Sequence, residues 1–126
     1  MGKVRSFRDL VVWQKAHELF LHTVRDVEGF PRTRVARIMT DQLVRAVASI
    51  GANIAEGYGG HKGREFQHYL IVARRSAVEA QNWFINCKDL GLIDGETFER
   101  RYQSCDEIIT MINFALSSLR RKDREA

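Results

Sequence analysis

The chain has 126 residues, 44% of them hydrophobic and 29% charged, a mixture suited to one compact foldable domain and unlike that of a disordered or fibrous protein. Its 20 Lys and Arg against 16 Asp and Glu leave a net charge of +4, which permits polyanion binding without demanding it. No apolar run approaches the roughly 20 residues that span a bilayer, and the start "MGKVRSFRDL" lacks the apolar core of a signal peptide, so a cytoplasmic protein with no membrane association is expected.

The single proline, Pro31, and the nine glycines divide the sequence into four segments with apolar residues at three- and four-residue spacing, which predicts helices throughout. The first spans about residues 8–28, with Leu10, Trp13, Ala16, Phe20, Val24 and Val27 on one stripe and a capping pair, Ser6 and Asp9, at its start. "GFPR" ends it. The second spans about residues 33–56, and Met39, Leu43, Ala46, Val47, Ile50 and Ile54 form its apolar side. Gly57 fits the position just past that helix's end.

The third segment, about residues 63–90, carries Phe66, Leu70, Ala73, Ala77, Ala80, Phe84 and Cys87 on its stripe, and "GLIDG" closes it. The fourth, about residues 95–121, uses Phe98, Tyr102, Cys105, Ile109, Ile112, Leu116 and Leu119. After Leu119 the charged tail has no apolar stripe, so its last residues are expected to fray.

Long helices joined by short links leave no room for crossovers and pack antiparallel to their neighbours. The expected fold is all-α, an up-down-up-down four-helix bundle occupying residues 1–126 as a single domain. Sustained alternation and Asn-Gly turns are missing, so strands are not expected. Cys87 and Cys105 lack CxxC spacing and fall on the apolar stripes, where they read as small buried hydrophobes.

The glycines of "GYGGHKG" raise the question of a phosphate loop. Gly57, Gly59, Gly60 and Gly63 have the wrong spacing for a dinucleotide fingerprint and no strand before them, and Lys62 is followed by Gly63 where a phosphate loop needs the hydroxyl that holds magnesium. A helix stop and connector is the economical reading. Lys62, Arg64 and the free amides at the next helix start still offer an attraction for a phosphate of a larger polyanion.

His17 and His22 lie five apart, not the four of a zinc-binding helix; His61, Glu65 and His68 have suitable spacing, but His61 falls in the connector. Neither a metal nor another cofactor is expected. Spacing reveals no nucleophile with its base and no acid–base carboxylate pair, so a non-enzyme is expected.

Gln42, Arg45, Ser49, Asn53 and Glu56 recur at three or four residues and form one polar line beside the apolar side of the second helix. A solvated face is the ordinary reading of such a line. Asn and Ser are nevertheless poor mid-helix choices for solubility alone. Arg45 is also within reach of Glu79 or Glu56 for an ion pair in the chain or across a subunit boundary, so the line together with Glu79 is a candidate for interaction and assembly. The candidate nucleic-acid set is Lys62, Arg64, Arg74, Arg75, Arg120, Arg121 and Lys122. Cations at a helix C-terminus are favourable in their own right, which accounts for the tail but not for Arg74 and Arg75.

"FRDLVVWQKAHEL" from Phe7, "FP" at Phe30, "QLVRAVASIGANIAEGYGG" from Gln42 and "EFQHYLIVARRSAVEAQ" from Glu65 resemble, in this order, the four-helix bundle family of 23S rRNA-intervening-sequence proteins, also called S23 ribosomal proteins. The most specific segment, "RAxxSIxxNIAEG", is met by Arg45, Ala46, Ser49, Ile50, Asn53, Ile54, Ala55, Glu56 and Gly57. Gly51 stands where the family commonly has a proline, and Arg75 where it has a glycine ahead of Ser76, opening a charged surface there. The resemblance implies a homopentameric ring, similar to the accessory protein of diversity-generating retroelements, which partners a reverse transcriptase and binds nucleic acid. It implies no catalytic residues.

The expected function is that of a non-catalytic homo-oligomer binding RNA or DNA. The competing expectation is a scaffold or adaptor whose ring recognises a partner protein through the polar line. An enzyme would need Glu56, Glu79 and a histidine gathered in one pocket.

Overall fold

A computed structural model describes residues 4–60 and 63–125, and among these every regular element is helical. A 3-10 turn at Phe7–Asp9 leads into α1 (Val11–Glu28), followed by α2 (Arg34–Gly60), α3 (Arg64–Asp89) and α4 (Gly95–Glu125). The Ser6–Asp9 capping box forms, with Ser6 Oγ accepting from the Arg8 amide at 3.2 Å and Asp9 Oδ2 accepting from the Ser6 amide at 3.3 Å. It caps the 3-10 turn rather than α1, because Leu10 is extended (φ −74°, ψ 125°) and separates the two.

The other junctions are built from local side-chain chemistry. Thr33 Oγ1 accepts from the Ala36 amide at 3.1 Å to start α2, and Asp94 Oδ1 accepts from the Thr97 amide at 2.7 Å to start α4. The Thr97 amide accordingly holds the Asp94 carboxyl below its usual range. At the end of α3 the Leu92 amide reaches the Cys87 carbonyl and the Gly91 amide the Lys88 carbonyl, with Gly91 at φ 75°, a left-handed stop that favours glycine.

Two helix ends differ from the sequence pattern. α2 runs through Gly57 to Gly60, so Gly57 is a buried interior residue and not the helix stop. A Cβ on Gly57 would stand 2.5 Å from Tyr69 Cβ, so its lack of a side chain serves close packing of α2 on α3. α4 continues to Glu125 instead of fraying after Leu119. Gln67 Nε2 donates to Asp123 Oδ2 at 2.7 Å and ties this last stretch to α3.

Among the described residues each helix backbone lies close to two others, in the cycle α1, α2, α3, α4, and the α2–α3 approach is the most extensive. Small residues explain that closeness. Ala46, Ala73, Ala77 and Ala80 are fully buried in a core that also holds Leu43, Val47, Ile50, Ile54, Leu70 and Phe84. These include nearly all the α2 and α3 stripe positions read from the sequence. On α1 the buried column is Ala16, Leu19 and Thr23, while Trp13, Phe20 and Val27 pack only partly against the core. Thr23 is tolerated because its hydroxyl donates to the Leu19 carbonyl at 2.7 Å.

Candidate functional site

The polar line of α2 turns toward α3. Arg45 donates to Glu79 and to Gln42 Oε1 (3.0 Å), and Trp83 Nε1 donates to Glu79 at 2.9 Å. Further along, Asn53 Nδ2 donates to Ser49 Oγ (2.9 Å) and to the Ser49 carbonyl (2.8 Å), and Ser49 Oγ shares a hydrogen bond of 2.8 Å with the buried Ser76 hydroxyl. The polar residues therefore form a seam between two helices more than a solvated face. This explains Ser and Asn in mid-helix: their side chains satisfy each other where Ser76 would otherwise bury an unpaired hydroxyl.

The seam contains two side chains that the sequence reading did not assign to it. Ser76 sits on the apolar stripe side of α3, and Trp83 looks like an ordinary core aromatic. Only the packing of α3 against α2 reveals them as partners. The Trp83 indole N–H first, and then Arg45, hold the Glu79 carboxyl below its ordinary range, outweighing the opposing effect of burial. Glu56, the last residue of the line, is exposed.

Glu56 does not join Glu79 and a histidine. Gly57 packs on Tyr69 while Arg45 meets Glu79, so Glu56 and Glu79 are separated along the seam by ten residues of α3, roughly 15 Å of helix rise. His17 stacks on Trp13 with centroids 4.8 Å apart, and His68 lies edge-on to Tyr69. His61 lies outside the described residues, and among those described no three His, Cys, Asp or Glu side chains are grouped to hold a metal ion.

The basic candidates divide into two groups. The bond between Gln67 and Asp123 brings the start of α3 to the end of α4, so Arg64, Arg120, Arg121 and Lys122 occupy one end of the bundle, all exposed. Glu65, Asp123 and Glu125 are interspersed with them. Arg74 and Arg75 lie farther along α3: Arg74 is half-buried and donates to Asn113 Oδ1 at 2.7 Å, whereas Arg75 is exposed. Lys62 lies outside the described residues.

Both cysteines are buried, Cys87 with its thiol pushed up to about 11 by burial and Cys105 to about 12 by burial and the nearby Asp106 charge. Such thiols are packing groups, not nucleophiles at neutral pH. None of the helices in the described residues is long and apolar enough to cross a membrane.

No curated protein sequence matches the chain. Among solved structures, it is similar to a protein of unknown function from the S23 ribosomal protein family of Bacteroides thetaiotaomicron, with 24% identity and a TM-score of 0.78 over 84% of this chain and 98% of that one. That likeness is one of fold. Residues 8–114, which contain α1, the α2–α3 seam and most of α4, match the model of the 23S rRNA-intervening sequence protein family. The chain belongs to the 23S rRNA-intervening sequence protein family.

Proposed function

We propose that the protein is a non-catalytic homo-oligomer, built from a single-domain up-down-up-down bundle, that binds RNA or single-stranded DNA through the shared basic end of α3 and α4. The cross-helix contacts support the antiparallel topology. Partners on α3 descend from Glu79 through Ser76 to Tyr69 as α2 ascends from Arg45 through Ser49 to Gly57. They descend again from Gln81 through Arg74 to Gln67 as α4 ascends from Asp106 through Asn113 to Asp123. On this reading α2 and α4 run in the same direction. A ring, of five copies by family resemblance, and a cytoplasmic setting complete the reading.

One observation carries the nucleic-acid assignment: Arg64, Arg120, Arg121 and Lys122 are exposed together on two helices joined by the Gln67–Asp123 bond. Cations carried on regular helix lose less freedom on meeting phosphates than cations on a loose tail. Labelled RNA and single-stranded DNA should be retained at low salt, with the logarithm of affinity falling linearly with the logarithm of salt by about 0.7 per phosphate contacted. Replacing Arg64, Arg120 and Lys122 by Ala should flatten that slope. Absence of retention at low salt would overturn nucleic-acid binding and favour the protein adaptor, which an Asn53 or Glu56 variant would then separate from its partner.

A further inference from the structure

Two apolar features of the surface have complementary shapes. The first is an open groove of about 270 Å³ between α1 and α2, walled by Trp13, His17 and Phe20 and floored by Ala48, Gly51 and Ala52. An apolar cavity of roughly 150 Å³ already accepts a benzene ring. Gly51 brings this floor against Trp13, where a Cβ would lie 3.4 Å from Trp13 Nε1. The second is Phe114 on α4, which is 76% exposed, more than any other large hydrophobic residue among those described.

Groove and ring stand at the same height in the bundle. Ser49 meets Ser76, Arg74 meets Asn113, and Gly51 lies against Trp13, so the levels of Gly51 and Phe114 coincide within about one turn, roughly 5 Å. A rotation about an axis parallel to the helices, with no shift along it, can carry one onto the other. That operation closes into a ring, whereas a shift would generate a filament.

Charge agrees with this operation. Along α2 the exposed line beside the groove reads Arg45, Ala48, Ala52, Glu56; along α4 the exposed line through Phe114 reads Glu107, Phe114, Arg121, with Arg45 also bonded to Glu79 and Glu107 lying 4.0 Å from Lys15 within the chain. With α2 and α4 running the same way, Glu107 of one copy lies toward Arg45 of the next, and Arg121 toward Glu56, which leaves Arg64, Arg120 and Lys122 for the nucleic-acid end. A two-fold axis across the helices reverses one line and opposes like charges.

We infer that Phe114 of one copy inserts into the Trp13–His17–Phe20 groove of the next, with the Glu107–Arg45 and Arg121–Glu56 pairs flanking it, as the repeating contact of a cyclic homo-oligomer. This inference rests on the proposed ring and identifies its interface. It gives Glu56 a role at a subunit boundary, and Arg45 one in addition to its seam contact with Glu79.

The test is solution mass by light scattering for the full chain, Phe114→Asp and Ala52→Trp. Each variant damages one side of the contact and leaves the other intact. Wild type should be an oligomer, each variant alone a monomer, and an equimolar mixture of the two variants a 1:1 dimer, because one intact contact remains between them. Both substitutions are at exposed positions, so helical circular dichroism should be unchanged; if Phe114→Asp loses helix, Phe114→Ala is used with the same readout. A monomeric wild type would overturn the ring and this contact together. An oligomeric wild type with an equally oligomeric Phe114 variant would overturn this contact alone, as would two monomeric variants that fail to pair. Glu56→Arg and Arg121→Glu should each weaken assembly and, combined in one chain, restore it; absence of restoration would overturn the flanking pairs.

Discussion

Gly57 of α2 lies directly against Tyr69 of α3, so closely that a Cβ on the glycine would stand 2.5 Å from Tyr69 Cβ. Gly59, two residues on in the same helix, has nothing within 4 Å of the corresponding position. The two glycines should respond oppositely to alanine. At Gly57 overpacking costs about 1–3 kcal/mol against a helix-propensity gain of about 1 kcal/mol, so Gly57→Ala is expected to destabilise. Gly59→Ala is expected to stabilise by up to about 1 kcal/mol. Urea midpoints for the two variants should therefore shift in opposite directions; a shift in the same direction contradicts the close-packing account.

Arg101 joins α4 to α1 by donating through Nε and Nη2 to the two carboxylate oxygens of Asp26 at 2.6 and 2.9 Å, with side-chain exposures of 14% and 11% for Arg101 and Asp26. The Asp26 hydrogen bonds raise the Arg101 pKa further above its already high ordinary value, against the effect of burial. Asp26→Ala leaves a nearly buried cation without its counter-charge and should cost about 3 kcal/mol. The apolar double variant Asp26→Leu/Arg101→Met should recover much of that loss, as measured by urea unfolding.

The Glu79 carboxyl is held below its ordinary value of 4.5 by Trp83 and Arg45. A depressed folded-state pKa contributes stability that is present above the unfolded value and disappears as pH falls through the folded value. Exposure of the Arg45–Glu79 pair keeps its contribution below about 1 kcal/mol. Glu79→Gln should therefore be less stable than wild type at neutral pH, and the gap should narrow as pH falls below about 4.5. Parallel stability curves across that range would argue against the ionised seam.

With Cys87 raised to about 11 and Cys105 to about 12, both thiols should resist a thiol-specific reagent at pH 8 in the folded protein and react once it is unfolded. Reagent absorbance with and without denaturant checks this. Rapid native labelling of either residue would show that its helix opens locally.

The apolar spacing was enough to read the helices and most of their buried faces. Leu43, Ala46, Val47, Ile50 and Ile54 recur at helical intervals and are all buried, as are Leu70, Ala73, Ala77, Ala80 and Phe84 on α3. This works because burial of a helix face is periodic in the chain itself. α1 was less legible, since its buried column includes Thr23, whose polarity is neutralised by a hydrogen bond to its own helix.

Four helices, most of their core-facing residues, the Ser6–Asp9 capping box and the family were legible in the chain alone, because each is written in local spacing or in contiguous motif; which helix start that box caps was not, since extended Leu10 separates it from α1. It took the packing of helix on helix to make Gly57 a packing contact and not a helix stop, to bond Ser49, which also accepts from Asn53, to the buried Ser76, and to bring Arg64 to the same end as Arg120 and Lys122. Those relationships join residues far apart in the chain. Their free energies depend on which side chains two helices bring face to face, and helix propensity or periodicity within one segment carries no information about its partner.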